Sequence, residues 1–115
     1  SEVARLASSH IRQLSCDELR TPEALVDAVG CFSPAITGLY VHIDLDVLDR
    51  TIAPVNVFGA PHGLDGGELD RLLAALMAAC PVRAVTLSAY DPAFDTEDRV
   101  PPIALALLRT IAQYA

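Results

Sequence analysis

The sequence contains no lysine: its eight basic residues are all arginines, set against fifteen aspartates and glutamates. Mechanisms that use a lysine as nucleophile or base are therefore excluded. The formal net charge of −7 disfavours contact with the phosphates of nucleic acid and with anionic lipid headgroups. We therefore expect neither nucleic acid nor a membrane as a partner.

Long apolar runs are also absent. No stretch approaches the roughly 20 residues that a membrane-spanning helix needs, and the first ten residues contain no apolar signal-peptide core. We therefore predict a cytoplasmic protein. Cysteine is scarce as well: Cys16, Cys31 and Cys80 are odd in number and fit no zinc-binding spacing, so we interpret them as reduced, partly buried thiols.

What is present is an alternation of strand and helix patterns. The chain is 52% hydrophobic and 20% charged, which is typical of one globular domain and predicts a single domain over residues 1–115. Apolar periodicity predicts strands over 10–15, 38–45 and 83–90, and helices near 22–30, 66–79 and 102–114. Asp65 and Glu68 form a capping-box pattern at the start of the second helix. This order favours a parallel sheet with helical crossovers, and three strands make so thin a sheet that the chain resembles part of a larger α/β domain.

Residues 40–49, YVHIDLDVLD, place aspartates in an otherwise apolar strand. Side chains alternate along a strand, so His42, Asp44 and Asp46 share one face. Asp44 and Asp46 also lie at the carboxyl end, where parallel sheets bind ligands. Two closely spaced carboxylates suit a hard divalent cation such as Mg²⁺ or Mn²⁺. The alternative is that these aspartates cap the following loop and are solvated.

Two known families have an Asp-x-Asp motif after an apolar strand. The motif of the haloacid-dehalogenase-like phosphatases fits IDLDV, but that family also needs a later lysine, which is absent, and a later acidic motif, for which only Asp91 is available. The second resemblance is much longer. YVHIDLDVLDRTIAP, GAPHGLDGGEL and VTLSAYDPAFD are similar, in this order, to three motifs of the arginase–agmatinase–formiminoglutamase (ureohydrolase) family. The chain resembles the C-terminal portion of such a protein.

This resemblance implies a three-layer α/β/α, arginase-like fold with a parallel sheet, of which the chain forms a partial, C-terminal unit. It implies a hydrolase that uses two Mn²⁺ ions to cleave a C–N bond in a small-molecule substrate of the guanidino, formimino or other amidine or amide type. Asp44 would bridge both ions and Asp46 would bind one. The family's other ligands, a histidine and an Asp-x-His-x-Asp segment, do not occur in this sequence. We therefore expect the missing N-terminal portion of the domain as a partner, an inactive isolated chain, and a homo-oligomer.

One departure from the family motifs concerns substrate choice. Ala89 stands where the family has a glutamate that pairs with guanidinium groups, and the adjacent Ser88 faces the other way on a strand. An unpaired buried guanidinium is costly, so arginine and agmatine are disfavoured as substrates.

The remaining site predictions concern residues around the aspartates. Asn56 and His62 lie in the following loop and are candidate contacts of the substrate. His42 is interpreted as a hydrogen-bonded neighbour of the site and not as a ligand, and Asp49 as a structural residue that ties the loop. Because Ala89 replaces the glutamate of the family motif, a second hypothesis stays open: a non-catalytic relative with a structural or regulatory role.

Overall fold

Two parallel strands and the helices around them make up the architecture. The computed structural model describes residues 1–30 and 34–115. In chain order the elements are α1 (Glu2–Ala7), α2 (Cys16–Leu19), α3 (Pro22–Gly30), β1 (Leu39–Asp44), α4 (Gly66–Ala79), β2 (Val82–Ser88) and α5 (Val100–Tyr114). A short 3-10 helix, Leu45–Val47, follows β1 directly.

The strands β1 and β2 pair in parallel, with His42 opposite Thr86 and Asp44 opposite Ser88. Parallel strands cannot be joined by a tight turn, and the connection between them runs through α4. The predicted parallel pairing of 38–45 with 83–90 is confirmed. The predicted helices near 22–30, 66–79 and 102–114 are confirmed as α3, α4 and α5.

The core lies between one face of the sheet and the helices α2 to α5. Ile43 of β1, Leu73 of α4 and Leu107 of α5 are buried in it, and side chains of α2 and α3 pack against its edge. The side chains that alternate with Ile43 along β1 are exposed: Tyr40, His42 and Asp44. The helices that join this core therefore cover one face of β1 and leave its polar face open.

The start of α4 is fixed by the predicted capping box. The Asp65 side chain accepts from Glu68 N, and the Glu68 side chain accepts from Asp65 N. Arg20, just after α2, places Nη1 at 2.7 and 2.8 Å from the two Glu68 oxygens. Its Nη2 donates to the carbonyls of His62 and Gly63. One guanidinium thus ties α2 to the loop before α4 and to the first turn of α4.

The start of α5 is held by the buried carboxylate of Asp95, which is 3% exposed. Its Oδ1 accepts from Arg99 N at 2.8 Å, and its Oδ2 accepts from Val100 N at 2.9 Å and from the Tyr90 hydroxyl at 3.1 Å. Burial raises the pKa of Asp95, but the backbone donors of Val100 and Arg99 and the Tyr90 hydroxyl outweigh it, so the net pKa is lowered. Asp95 therefore links the segment after β2 to α5 as an anion.

The predicted strand over residues 10–15 is wrong. Residues 11–15 have no regular secondary structure, and Ile11 is 64% exposed. The periodicity over 10–15 does not produce a strand because Ser15 is the N-cap of α2: its hydroxyl accepts from Glu18 N, and its own N donates to the Glu18 carboxylate. A strand also needs a partner, and the described sheet contains β1 and β2 alone.

The cysteines Cys16 and Cys80 are free and half-buried, as predicted, and Cys31 lies outside the described residues. None of the helices described for residues 1–30 and 34–115 combines the length and apolar character needed to cross a membrane.

Candidate metal centre

Asp44 and Asp46 lie where β1 ends and the 3-10 helix begins. Both line one open cavity of about 520 Å³, together with His42 and Val47. The rest of the lining is apolar and comes from β1, from the helices α2, α3 and α4, and from Leu64. Two carboxylates therefore open onto a single, mostly apolar space.

The carboxylate of Asp44 is held at one of its oxygens. Ser88 Oγ donates to Oδ1 at 2.5 Å, and His42 Nε2 lies 3.0 Å from the same oxygen. The hydrogen bond from Ser88, and then that from His42, lower the pKa of Asp44, so the group is an anion at neutral pH. The side chain is 61% exposed. No residue within 1–30 or 34–115 donates a hydrogen bond to the other oxygen, Oδ2.

His42 is hydrogen-bonded, as predicted. Its Nε2 lies 2.8 Å from Ser88 Oγ, and its Nδ1 lies 3.5 Å from the Tyr40 hydroxyl, which in turn donates to Thr86 Oγ1 at 2.8 Å. Because Ser88 gives its proton to Asp44, its oxygen can accept one, which favours the tautomer of His42 with the proton on Nε2. A chain of polar side chains therefore crosses the open face of the sheet and ends at Asp44.

Ser88 is the functional neighbour that the sequence interpretation missed. The sequence alone places Ser88 beside Ala89 on a strand, with its side chain pointing the other way. The signal was present in the alternation along β2, because Thr86 and Ser88 are the polar residues on one face. Once the parallel register is known, Asp44 lies opposite Ser88.

The carboxylate of Asp46 is held by the loop that follows it. Asn56 Nδ2 donates to Asp46 Oδ2 at 3.2 Å and to the carbonyl of Ala89 at 2.7 Å. Asn56 Oδ1 accepts from Phe58 N at 2.7 Å. Asn56 is predicted as a candidate contact of the substrate. In the structure its side chain bridges Asp46 and Ala89, the residue after β2.

Asp49 ties the loop, as predicted. It accepts from Thr51 N at 2.8 Å, from Thr51 Oγ1 at 2.6 Å and from His62 N at 2.6 Å. The hydrogen bonds from Thr51, followed by that from His62, lower the pKa of Asp49. His62 has a φ of 64°, in the left-handed region that is uncommon for residues other than glycine but in which histidine is enriched. Its side chain is not among those that line the cavity.

The donor set fits a hard divalent cation in kind, because both groups are carboxylates with an oxygen that receives no hydrogen bond from a described residue. It does not fit in number. Within residues 1–30 and 34–115 no three histidine, cysteine, aspartate or glutamate side chains lie close enough together to hold a metal ion. The described residues therefore supply two candidate carboxylate ligands, Asp44 and Asp46, and no third one beside them.

Known proteins provide the decisive comparison, although no protein-family model matches the chain. The formimidoylglutamase of Aeromonas hydrophila is 30% identical over 98 residues, which cover 83% of this chain and 31% of that protein. That of Aeromonas salmonicida is 27% identical over 94 residues. The arginase of Helicobacter pylori has a TM-score of 0.88 at 22% identity, over 98% of this chain and 38% of its own. The formimidoylglutamase of Bacillus subtilis has a TM-score of 0.81 at 19% identity, over 96% and 36%.

The chain belongs to the arginase (ureohydrolase) family. It corresponds to a C-terminal portion of a ureohydrolase and spans about a third of the length of the curated relatives it matches. The predicted arginase-like α/β fold with a parallel sheet, present as a partial unit, is confirmed. The choice between the two families that share an Asp-x-Asp motif thus falls to the ureohydrolases.

Ala89 follows β2 directly and lies beside Asn56. Its φ is 69°, a left-handed conformation that is uncommon for residues other than glycine. Its backbone carbonyl accepts a hydrogen bond from Asn56 Nδ2, and its side chain is a methyl group. The position therefore holds Asn56 in place and offers no carboxylate to a substrate.

Proposed function

We propose that the full-length protein is a ureohydrolase-type hydrolase that uses two Mn²⁺ ions to cleave a C–N bond in a formimino, guanidino or other amidine- or amide-type substrate. One observation carries the proposal. Asp44 and Asp46, the two carboxylates of the family motif, open onto one cavity, and each keeps an oxygen to which no described residue donates a hydrogen bond.

Asp44 and Asp46 would be the metal-binding residues of this chain. When bound, divalent ions of this kind make water a stronger acid and polarise the carbon that is attacked. The chain's own contribution is charge and shape. The hydrogen bonds from Ser88 and His42 to Asp44 keep it ionised, and the side chains around the two aspartates give the cavity a mostly apolar wall.

Two carboxylates are too few for two ions, because Mn²⁺ prefers about six ligands. We therefore propose that the other ligands come from an N-terminal portion of the same domain. It follows that the 115 residues alone bind Mn²⁺ weakly and are inactive.

Ala89 disfavours guanidino substrates such as arginine and agmatine. A guanidinium group that loses its carboxylate partner in a buried pocket loses a charge-assisted hydrogen bond, which lowers kcat/KM roughly 30-fold or more. The two curated Aeromonas relatives are both named formimidoylglutamase, which supports a formimino substrate.

The test compares hydrolysis of formimidoylglutamate, arginine, agmatine and guanidinobutyrate by the Mn²⁺-loaded full-length protein. We expect turnover of formimidoylglutamate and its loss in Asp44→Asn and Asp46→Asn. Ala89→Glu should raise kcat/KM for a guanidino substrate, and Ala89→Gln, which matches it in size without the charge, should not. Turnover of arginine by the unmodified protein at the rate of Ala89→Glu would contradict the role given to this position.

The non-catalytic relative is the second candidate, and Ala89 is the observation that favours it. The same assay separates the two: absence of Mn²⁺-dependent hydrolysis for all four substrates, in a full-length protein that is folded, would favour a structural or regulatory role. We also propose a homo-oligomer, since α5 exposes Leu105, Leu108 and Tyr114. The cytoplasmic location stays a prediction.

A further inference from the structure

Both candidate metal ligands are held at one oxygen by a neutral donor that lies outside the Asp-x-Asp motif. Ser88 Oγ donates to Asp44 Oδ1 at 2.5 Å, and Asn56 Nδ2 donates to Asp46 Oδ2 at 3.2 Å. The opposite oxygens, Asp44 Oδ2 and Asp46 Oδ1, receive no hydrogen bond from any residue in the described part of the chain. Each aspartate therefore has one fixed oxygen and one available oxygen.

The end of β2 anchors both donors. Ser88 is the last residue of β2, and Asn56 Nδ2 also donates to the carbonyl of the next residue, Ala89, at 2.7 Å. The orientation of the Asn56 amide is determined by its partners. Its oxygen must face Phe58 N, which can only donate, so its NH₂ group must face Asp46 and Ala89.

We propose that Ser88 and Asn56 are positioning residues that orient Asp44 and Asp46 for binding a divalent cation. This inference rests on the proposed function. A carboxylate that accepts a hydrogen bond from a fixed donor cannot rotate freely, so its second oxygen keeps one direction. Because hydroxyl and amide donors are neutral, Ser88 and Asn56 place no positive charge beside either aspartate, and His42 Nε2 lies 3.0 Å from the Asp44 oxygen that Ser88 already holds.

The experiment measures Mn²⁺ binding to the full-length protein by the electron paramagnetic resonance signal of free Mn²⁺, with no substrate present. We expect Ser88→Ala and Asn56→Asp each to weaken binding roughly 10- to 100-fold. Asn56→Asp keeps the acceptor for Phe58 N but replaces the NH₂ donor with an oxygen that repels Asp46. Ser88→Thr keeps the hydroxyl and should restore binding.

Thr86→Val is the matched control. Thr86 lies two residues before Ser88 on the same face, and its hydroxyl accepts from Tyr40, but it contacts neither aspartate. The Thr86→Val protein should bind Mn²⁺ with the same affinity as the unmodified protein. The thermal midpoint of each metal-free variant separates positioning from folding, because a positioning role predicts weaker binding at an unchanged midpoint.

Two results would overturn the inference and leave the proposed function intact. The first is a Mn²⁺ affinity of Ser88→Ala and Asn56→Asp that lies within about 3-fold of that of the unmodified protein. The second is weaker Mn²⁺ binding that occurs only in variants whose metal-free thermal midpoint has also fallen. If instead the unmodified protein holds no Mn²⁺, or Asp44→Asn and Asp46→Asn hold as much, the proposed function fails and this inference with it.

Discussion

The close approach of Gly63 to residues 47–49, at the end of the 3-10 helix that follows β1, gives a sharp test of the packing next to the aspartates. A Cβ atom at Gly63 would lie 2.5 Å from Asp49 N, 2.6 Å from Val47 O and 2.7 Å from Leu48 C, all of them backbone atoms. In Gly63→Ala the two segments must therefore separate by about 1 Å to reach an ordinary contact distance. Asp49 N donates to Leu64 O and Leu64 N donates to Val47 O, both at 2.9 Å, and such a shift would break both bonds.

The expected loss in unfolding free energy combines two terms. Overpacking of a close contact costs about 1–3 kcal/mol, and two backbone hydrogen bonds contribute about 1 kcal/mol each. We therefore expect Gly63→Ala to lower the unfolding free energy by about 3–5 kcal/mol in urea unfolding followed by circular dichroism. A loss below about 1 kcal/mol would refute the reasoning, because the segments would then have separated without breaking either hydrogen bond.

Gly30→Ala is the matched control for this change. It is the same substitution at the last residue of α3, where a Cβ would meet no atom of residues 1–30 or 34–115 within 4 Å. Alanine restricts the unfolded chain and favours helix, so we expect no loss and a gain of up to about 1 kcal/mol.

Three further predictions concern the core, the acid stability and the association of the chain. Leu107 is 0% exposed and Leu108 is 50% exposed. Leu107→Ala should therefore lower the unfolding free energy by about 2–5 kcal/mol, and Leu108→Ala by less than about 1 kcal/mol. Equal losses in urea unfolding would contradict the assigned face of α5. The lowered pKa of Asp95 means that its anion stabilises the fold above the unfolded pKa of about 4, and this contribution should disappear as the pH falls through the lower folded value. Thermal midpoints from pH 7 to pH 3 should therefore fall more steeply for the unmodified protein than for Asp95→Asn, and parallel curves would count against this role. The 115-residue chain should associate through its open strand edge and exposed apolar side chains, so a clean monomer at every concentration in sedimentation velocity would argue against the predicted oligomer.

Local interactions explain which parts of the fold could be predicted from the sequence. The capping box of Asp65 and Glu68 closes over three residues, so the sequence alone predicts where α4 begins. The strand predicted over residues 10–15 is wrong for the opposite reason. A strand needs a pairing partner, which can lie anywhere in the chain. The cap formed by Ser15 needs only Glu18, three residues away, and this local interaction forms in place of a strand.

The same contrast applies to the candidate site. Asp44 and Asp46 were predictable because strand alternation and the family motif both identify them. The bridge from Asn56 to Asp46 and Ala89 was not, because it depends on how an irregular loop folds back onto the end of a distant strand. Ser88 lies between these cases: its face follows from alternation, but its partner follows only from the register of β1 and β2.

The hydrogen bonds that build the site have a kinetic consequence, because they join residues far apart in the chain. Ser88 and Asp44 are 44 positions apart, Asn56 and Ala89 are 33 apart, and Arg20 and Glu68 are 48 apart. Closing such long loops costs chain entropy before the contact can form, so we expect the helices to form early and these contacts to form late in folding. Contacts that are absent from the transition state affect unfolding and not folding, so Arg20→Ala, which removes the pair with Glu68, should speed unfolding at an unchanged folding rate. The candidate metal centre would then be among the last parts of the molecule to assemble and the first to come apart.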